Sequence, residues 1–476
     1  QVDVLFKLPT SGKKEVALSP THEEIITPLV AHYLQSPKDF PCLVYQIQSK
    51  FRNEPRAKSG ILRGREFLMK DAYSFHLNEE DFETCYTKMK DVYTNIYDRL
   101  GIGDRTYYVA ASGGDFSKFS HEFQTISDIG EDTLLHDVVQ DTWYNSEIAP
   151  CLAPEWDNSK EKAAPMEAIE GKDIIGVEEL SKFLGISVEK TTKTILFQVD
   201  TSVVAVAIRG DRGVNEWKLR NLLNAEKVAL ASEETVMELT GATVGYAGPL
   251  NLPASVKVLW DTSCRGRVNF ECGANKTDFH SINVNFGRDL DEPTDFYDLT
   301  EAQVGDKNPE TGKEYESHRA VEVGNIFPLA NKFSKPFNFK IDGKEILMGC
   351  YGIGVSRTMG ILAEIFNDEK GLKWPKNVAP YSVYLAAIGK NDAVYEQAEL
   401  LEKELENVGI EVLYDDRREK KVGPGQKFSD SELLGIPYRV VISESLLEEG
   451  KVEIVERETG EVTKCDFDSF SDLIKP

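Results

Sequence analysis

The chain has 476 residues, room for about three domains at roughly 150 residues each, with 41% hydrophobic and 28% charged residues. No apolar run approaches the roughly 18 residues of a spanning helix, which excludes a helical membrane protein and gives no reason to expect a membrane partner. The net charge of −25 makes the average surface repel phosphate backbones, so any nucleic-acid contact must use local basic islands.

In chain order, the sequence begins at Gln1 with strand-like QVDVLFKL and no signal-peptide pattern, so the native N-terminus is expected upstream. In LSPTHEEIIT, residues 18–27, Thr21 suits a helix cap, with Glu23 and Glu24 in the first turn. Alternatively Thr21 and Glu23 offer a hydroxyl and a carboxylate to an ammonium group, a reading kept open by Pro28, which disturbs a simple helix. From Tyr45 the chain alternates, with Tyr45, Ile47 and Phe51 on one parity and Gln46, Gln48, Lys50, Arg52 and Glu54 on the other. Turn residues follow from Pro55 to Gly60, and a return strand places Arg63, Arg65, Phe67 and Met69 on one parity, which predicts a long antiparallel hairpin. A helix capped by Asn78 should follow, its apolar positions recurring at three and four until Gly101.

Three prolines among charges mark a boundary at 150–170, after which strands and helices alternate in a mixed α/β unit ending near 318. Strand-like sequence resumes near 319 and reaches a glycine-rich turn and helix at 349–366. Beyond Pro375 and Pro380 the tail reads strand, helix, strand, basic loop, helix and strand. The expected domains are 1–158 and 319–374 as two parts of one domain, 159–318 inserted between them, and 375–476. The seven cysteines, without a CxxC pair or a histidine at ligand spacing, read as reduced thiols of a cytoplasmic protein with no metal-binding set.

Residues 50–70 carry a net +5 from Lys50, Arg52, Arg56, Lys58, Arg63, Arg65 and Lys70 against two acidic residues. Such a cluster either clamps a polyphosphate through guanidinium forks, with Phe67 stacking on a base, or is a solvated edge strand. In MGCYGIGVSRTMGI, Gly349, Gly352 and Gly354 precede Arg357 in the first turn of a helix, suited to a negative ligand group or to tight packing alone. Arg357 stands where a dinucleotide fingerprint needs glycine, and GxxxxGK[ST], HExxH and GxSxG are absent from the sequence. Arg417, Arg418, Lys420, Lys421 and Lys427 against Glu419 give +4 in a loop that suits either RNA or solvent.

FRNEPRAKSGILRGREFLMKDAYSFH (51–76), CYGIGVSRTMGIL (350–362) and SPTHEE (19–24) resemble motif 2, motif 3 and the amino-acid-recognition loop of class II aminoacyl-tRNA synthetases, specifically the bacterial-type prolyl-tRNA synthetases. SHEF (120–123) and VEVGNIF (321–327) resemble segments around that family's proline pocket. TTKTILF, GYAGPLNL and CGANKTDFH resemble its inserted editing domain, and the last 100 residues its anticodon-binding domain. The resemblance implies an α/β and α+β multidomain chain: an antiparallel catalytic sheet flanked by helices, a mixed α/β editing insertion and a mixed-sheet α/β anticodon-binding domain. It implies an ATP- and Mg²⁺-dependent ligase that joins L-proline to tRNA(Pro), with hydrolytic editing of alanyl-tRNA(Pro).

Carried over by position, the resemblance assigns Arg52 to the α-phosphate and the proline carboxylate, and Glu54 to the adenine end of ATP. Phe67 would stack on adenine with Arg357 on its other face, and Glu322 would serve ATP or Mg²⁺. Thr21 and Glu23 would hold the imino group, His121 and Phe123 would shape the ring pocket, and Lys193 and His280 would serve editing. Arg417, Arg418, Lys420 and Lys421 would meet tRNA. Cys350, beside motif 3, reads as a buried thiol rather than a nucleophile. The family's motif 1 is expected upstream of Gln1, with a homodimer expected of the full-length protein, and Asn325 replaces the family's usual histidine. A synthetase for another small amino acid, a tRNA-binding regulator and an editing deacylase are the competing readings.

Overall fold

The computed structural model describes residues 4–12, 14–55, 57, 59–114, 117, 119–154, 161–419, 421–467, 469–470 and 473–474. The chain forms two compact units: one holds Gln1–Tyr107, Phe123–Ser127 and Val321–Pro476, the other Tyr108–Glu122 and Asp128–Ala320.

In the first unit the alternating segment forms the strand Cys42–Phe51, paired antiparallel with Glu66–His76 so that Cys42 faces Phe75 and Phe51 faces Glu66. The return strand thus starts at Glu66, and Arg63 and Arg65 precede it, after the short 3₁₀ turn Gly60–Leu62. The strand Leu347–Gly354 adds to the other side of Glu66–His76, and residues 324–330 of Glu316–Ala330 pair with it in turn. The facing of the hairpin reverses the usual expectation for alternation. Leu43, Tyr45 and Ile47 are exposed, whereas Lys50 on the polar parity is 2% exposed.

Asn78 caps the helix Glu79–Arg99 as expected, its side chain accepting from the Asp81 N–H at 2.9 Å. That helix buries Met89, Tyr93 and Tyr97, and Phe123 packs on the two tyrosine rings at 5.1 and 5.4 Å. The glycine-rich strand runs straight into the helix Val355–Ile365. Its glycines are required by proximity: a Cβ on Gly352 would lie 2.9 Å from Asn325 Oδ1 and 3.2 Å from the Met69 methyl. The helix Glu23–Tyr33 contains Pro28, and its cap position is His22, with no side-chain capping bond. The Thr21 hydroxyl bonds instead to the Glu23 carboxylate, so the capping alternative for Thr21 fails.

The C-terminal part of this unit is a five-stranded mixed sheet. Val383–Ile388 lies parallel to Val412–Asp415 and Tyr438–Ser443, and the hairpin Lys451–Glu456 with Val462–Asp466 completes the other side. That hairpin is absent from the sequence reading. The helix Asp392–Asn407 buries Val394, Ala398, Leu401 and Leu405 against the sheet.

The second unit contains a five-stranded sheet built on the antiparallel pair Thr192–Val199 and Ser202–Arg209, as the sequence predicts. Helices Glu216–Leu223 and Glu233–Thr240 and the strand Lys257–Asp261 also fall where expected. A separate three-stranded sheet of Phe270–Gly273, Phe279–Val284 and Glu167–Glu170 was not anticipated. A hairpin, Asp132–Asp137 with Thr142–Asn145, pairs with residues 316–320.

Candidate active site

In the first unit Arg52 and Arg357 line one cleft of about 100 Å³, together with Glu54, Phe67, Glu322 and Asn325. Arg52 follows the outer hairpin strand and its backbone N–H donates to the Arg65 carbonyl at 2.9 Å, which fixes where the side chain leaves the sheet. Its guanidinium carbon lies 5.2 Å from the Phe67 ring centroid, a cation over an aromatic face. Glu54 accepts from Arg63 at 3.1 Å. Arg56 and Lys58 of the basic island lie outside the described residues.

Arg357 stands in the first turn of its helix and is held from three directions. Nε donates to the Leu62 carbonyl at 3.0 Å, and Nη1 to the Glu322 carbonyl at 3.1 Å and to Glu322 Oε2 at 3.2 Å. The other Glu322 oxygen accepts from Asn325 Nδ2 at 2.8 Å. Glu322 thus orients both neighbours, a role that sequence alone did not suggest.

Close to the helix start, Glu23 is 3% exposed, bonded to the Thr21 hydroxyl, and accepts from the Cys350 thiol at 3.3 Å. Burial, reinforced by the Glu23 charge, keeps that thiol protonated by raising its pKa well above the ordinary value. The polar parity of the hairpin continues the network. Lys50 contacts His22 Nδ1 and pairs with Asp71 at 2.6 Å, while burial and Lys50 lower the His22 pKa. Lys70 donates to Tyr93 Oη and to the Tyr351 carbonyl, each at 3.2 Å, and burial pushes its pKa down to about 8. His22 and Asp71 escaped the sequence reading, which placed Lys50 on the polar parity and in the basic island but did not foresee its burial. Phe123 packs in the core of this unit, whereas His121 lies in the second unit, stacked on Tyr108 with centroids 4.5 Å apart.

In the second unit Lys193 and His280 line a common cavity of about 260 Å³ whose other walls are largely apolar. Lys193 donates to the Arg212 carbonyl at 2.7 Å, and burial lowers its pKa against a small opposing pull from Asp211. His280 meets Glu271 Oε1 through Nδ1 at 2.9 Å and the Ile174 carbonyl through Nε2 at 3.0 Å. Glu271 was not foreseen either; it sits in the strand Phe270–Gly273, which the sequence analysis did not anticipate.

In the C-terminal sheet the basic loop is largely neutralised from within. Arg417 binds Asp415 at 2.8 and 2.7 Å and Asp430 at 2.7 Å, and Arg418 binds Asp392 at 2.8 Å. Burial alone would raise the Asp415 pKa, but the Arg417 and Tyr384 hydrogen bonds hold it well below the usual carboxylate range. Lys427 is 2% exposed and donates to the Ala387 and Asp415 carbonyls, so it is structural. Lys421 is exposed, and Lys420 lies outside the described residues.

The family description "tRNA synthetase class II core domain (G, H, P, S and T)" matches residues 6–366, and an anticodon binding domain matches residues 382–476. Proline–tRNA ligase of Bacillus subtilis (strain 168) is 42% identical over 476 residues, 99% of this chain and 83% of its own length. The chain belongs to the proline–tRNA ligase family of class II synthetases. Proline–tRNA ligase of Bacillus mycoides (strain KBAB4) is 41% identical over 463 residues, 96% of this chain and 81% of its own. A solved structure, prolyl-tRNA synthetase from Cryptosporidium parvum complexed with L-proline and AMP, shares the fold with a TM-score of 0.53 at 14% identity. The match covers 99% of this chain and spans 60% of that one. For a proline–tRNA ligase family member, the cleft between Arg52 and Arg357 falls in the region matched by the catalytic core and the neutralised basic loop in that matched by the anticodon-binding domain.

Proposed function

We propose that this chain activates L-proline with ATP and transfers the prolyl group to tRNA(Pro). The observation that carries the reading is that Arg52 and Arg357, far apart in sequence, line one cleft together with Phe67. In the first step the proline carboxylate attacks the α-phosphorus in line, an oxygen–phosphorus bond forms, and pyrophosphate leaves with the electrons of the broken bond. Arg52 reaches the α-phosphate and the carboxylate, where its planar fork matches both oxyanions. Phe67 offers its face to adenine, Glu54 the polar edge of that site, and Arg357 the far phosphates. Thr21 and Glu23 hold the substrate ammonium, with Phe123 in the wall behind and His121 assigned to the ring pocket by resemblance alone. Catalysis is positioning and charge stabilisation, without a covalent protein intermediate.

Mg²⁺ supplies charge neutralisation on the phosphates when bound. Glu322 fits the role of its protein ligand, since each oxygen accepts one hydrogen bond and keeps capacity for another. Lys421, with Arg418, Arg417 and Lys420, is assigned to tRNA. Cytoplasmic residence is supported by seven free thiols, and a homodimer of the full-length protein by the exposed apolar face of Leu43, Tyr45 and Ile47.

Editing is the second reading, favoured by the cavity that Lys193 shares with His280. A pocket that fits proline rejects alanine only through lost contacts, about 1–3 kcal/mol per methylene, so a second hydrolytic site has a physical rationale. We assign alanyl-tRNA(Pro) hydrolysis to this cavity, with Lys193 attracting the tRNA end and His280, held by Glu271 and the Ile174 carbonyl, lining the ester pocket.

The central reading is tested by proline-dependent exchange of pyrophosphate into ATP. Arg52→Ala and Arg357→Ala should each lower the exchange rate by about 100-fold or more. Exchange that survives both substitutions removes the mechanism.

A further inference from the structure

Away from both cavities, the second unit gathers two imidazoles and a carboxylate on one face of a sheet. Glu316 is the direct cross-strand partner of His136, and His318, two residues on, shares its face. On the other side of His136, Trp143 is its cross-strand partner and stacks on it, with centroids 4.0 Å apart and planes at 8°. Glu316 Oε2 lies 3.8 Å from His136 Nδ1 and 3.9 Å from His318 Nε2, and the three atoms lie within 4.8 Å of one another.

These separations are too long for hydrogen bonds, which close at about 2.7–3.2 Å. They approach the roughly 3.3 Å between neighbouring donors around a tetrahedral ion with bonds of about 2.0–2.1 Å, so small side-chain rotations suffice. The orienting partners are already in place. His136 Nε2 meets Asp141 Oδ1 at 3.0 Å, so a neutral ring donates there and turns the Nδ1 lone pair toward Glu316. Among the described residues, His318 Nε2 has no hydrogen-bond partner. Asp141 stands at φ 50° in the turn of the hairpin, a conformation that aspartate tolerates better than most residues.

We propose that His136 Nδ1, Glu316 Oε2 and His318 Nε2 bind one divalent transition-metal ion of the zinc class. Two imidazoles with one carboxylate are borderline donors that favour zinc, cobalt or nickel over magnesium and calcium. The Glu316 side chain is 62% exposed and His318 Nε2 is buried, so the ion enters from solvent on the Glu316 side. Bound there, it pins residues 316–320 to the Asp132–Asp137 strand and adds to the stability of this part of the unit.

The full chain, freed of metal by dialysis against a chelator, is titrated with Zn²⁺ by calorimetry and with Co²⁺ by visible absorption. One ion per chain is expected, with cobalt ligand-field bands and a rise in melting temperature. His318→Gln and Glu316→Gln, both at accessible positions, should each weaken binding by about tenfold or more while leaving the metal-free circular dichroism unchanged. Failure to bind, binding that both variants retain, or sulfur-to-cobalt charge-transfer bands from a thiolate site overturns the proposal.

Discussion

Glu271 decides the protonation state of His280. Both ring nitrogens of His280 face acceptors, a carboxylate at 2.9 Å and a carbonyl at 3.0 Å, so the ring satisfies both only as an imidazolium. Burial opposes that charge, but the Glu271 hydrogen bond and charge outweigh it, and the His280 pKa is raised. His280 is therefore a hydrogen-bond donor and not a general base. A raised folded pKa contributes stability that is fully present below the ordinary imidazole value and is lost as pH rises through the higher folded value. Urea stability followed from about pH 6 to pH 9 should fall on the alkaline side, and Glu271→Gln should flatten that slope; an unchanged slope in the variant contradicts the assignment. His280 was legible from the sequence as a candidate. Glu271 was not, because a buried ion pair is made by the sheet register that sets Cys272 opposite Ser281, and no local pattern carries that information.

The alternation of Cys42–Phe51 was legible as a strand and the glycine run as a strand that meets its neighbours closely, since period and residue size are local properties. Which face turned inward was not legible. Hydrophobic alternation ordinarily points inward, yet here Lys50 and Asp71 occupy the interior because this stretch of sheet lies beside a polar site. The C-terminal hairpin was missed for a related reason: Lys451–Glu456 is highly charged, and such alternation reads as loop until its partner strand is known. At this scale Gly352 offers a direct test. Gly352→Ala pushes a methyl against Asn325 and Met69, which disturbs the Asn325 to Glu322 to Arg357 chain. The expected result is an ATP KM raised by about tenfold or more with proline binding altered much less, because a cost of 1.4 kcal/mol at the phosphate end is a tenfold change. Kinetics with each substrate varied in turn distinguish this from general unfolding.

Across the whole molecule, the cleft of Arg52 and Arg357 belongs to one compact unit and the cavity of Lys193 and His280 to the other. The proposed ligase and editing activities should therefore separate. Arg357→Ala should abolish pyrophosphate exchange and leave alanyl-tRNA(Pro) hydrolysis near the parent rate, while Lys193→Ala should do the reverse, with loss of both activities in either variant arguing against separate sites. Charge counting marked both basic islands, but in the C-terminal loop it did not show that Asp415, two residues before Arg417, and the more distant Asp430 and Asp392 bind the arginines. The thiol of Cys350, enclosed and hydrogen-bonded to Glu23, has one more consequence. Its sulfur is shielded while the packing around Glu23 holds, so alkylating reagents can modify it only in molecules where that packing has come apart, and the protein carries its own indicator of a disassembled core.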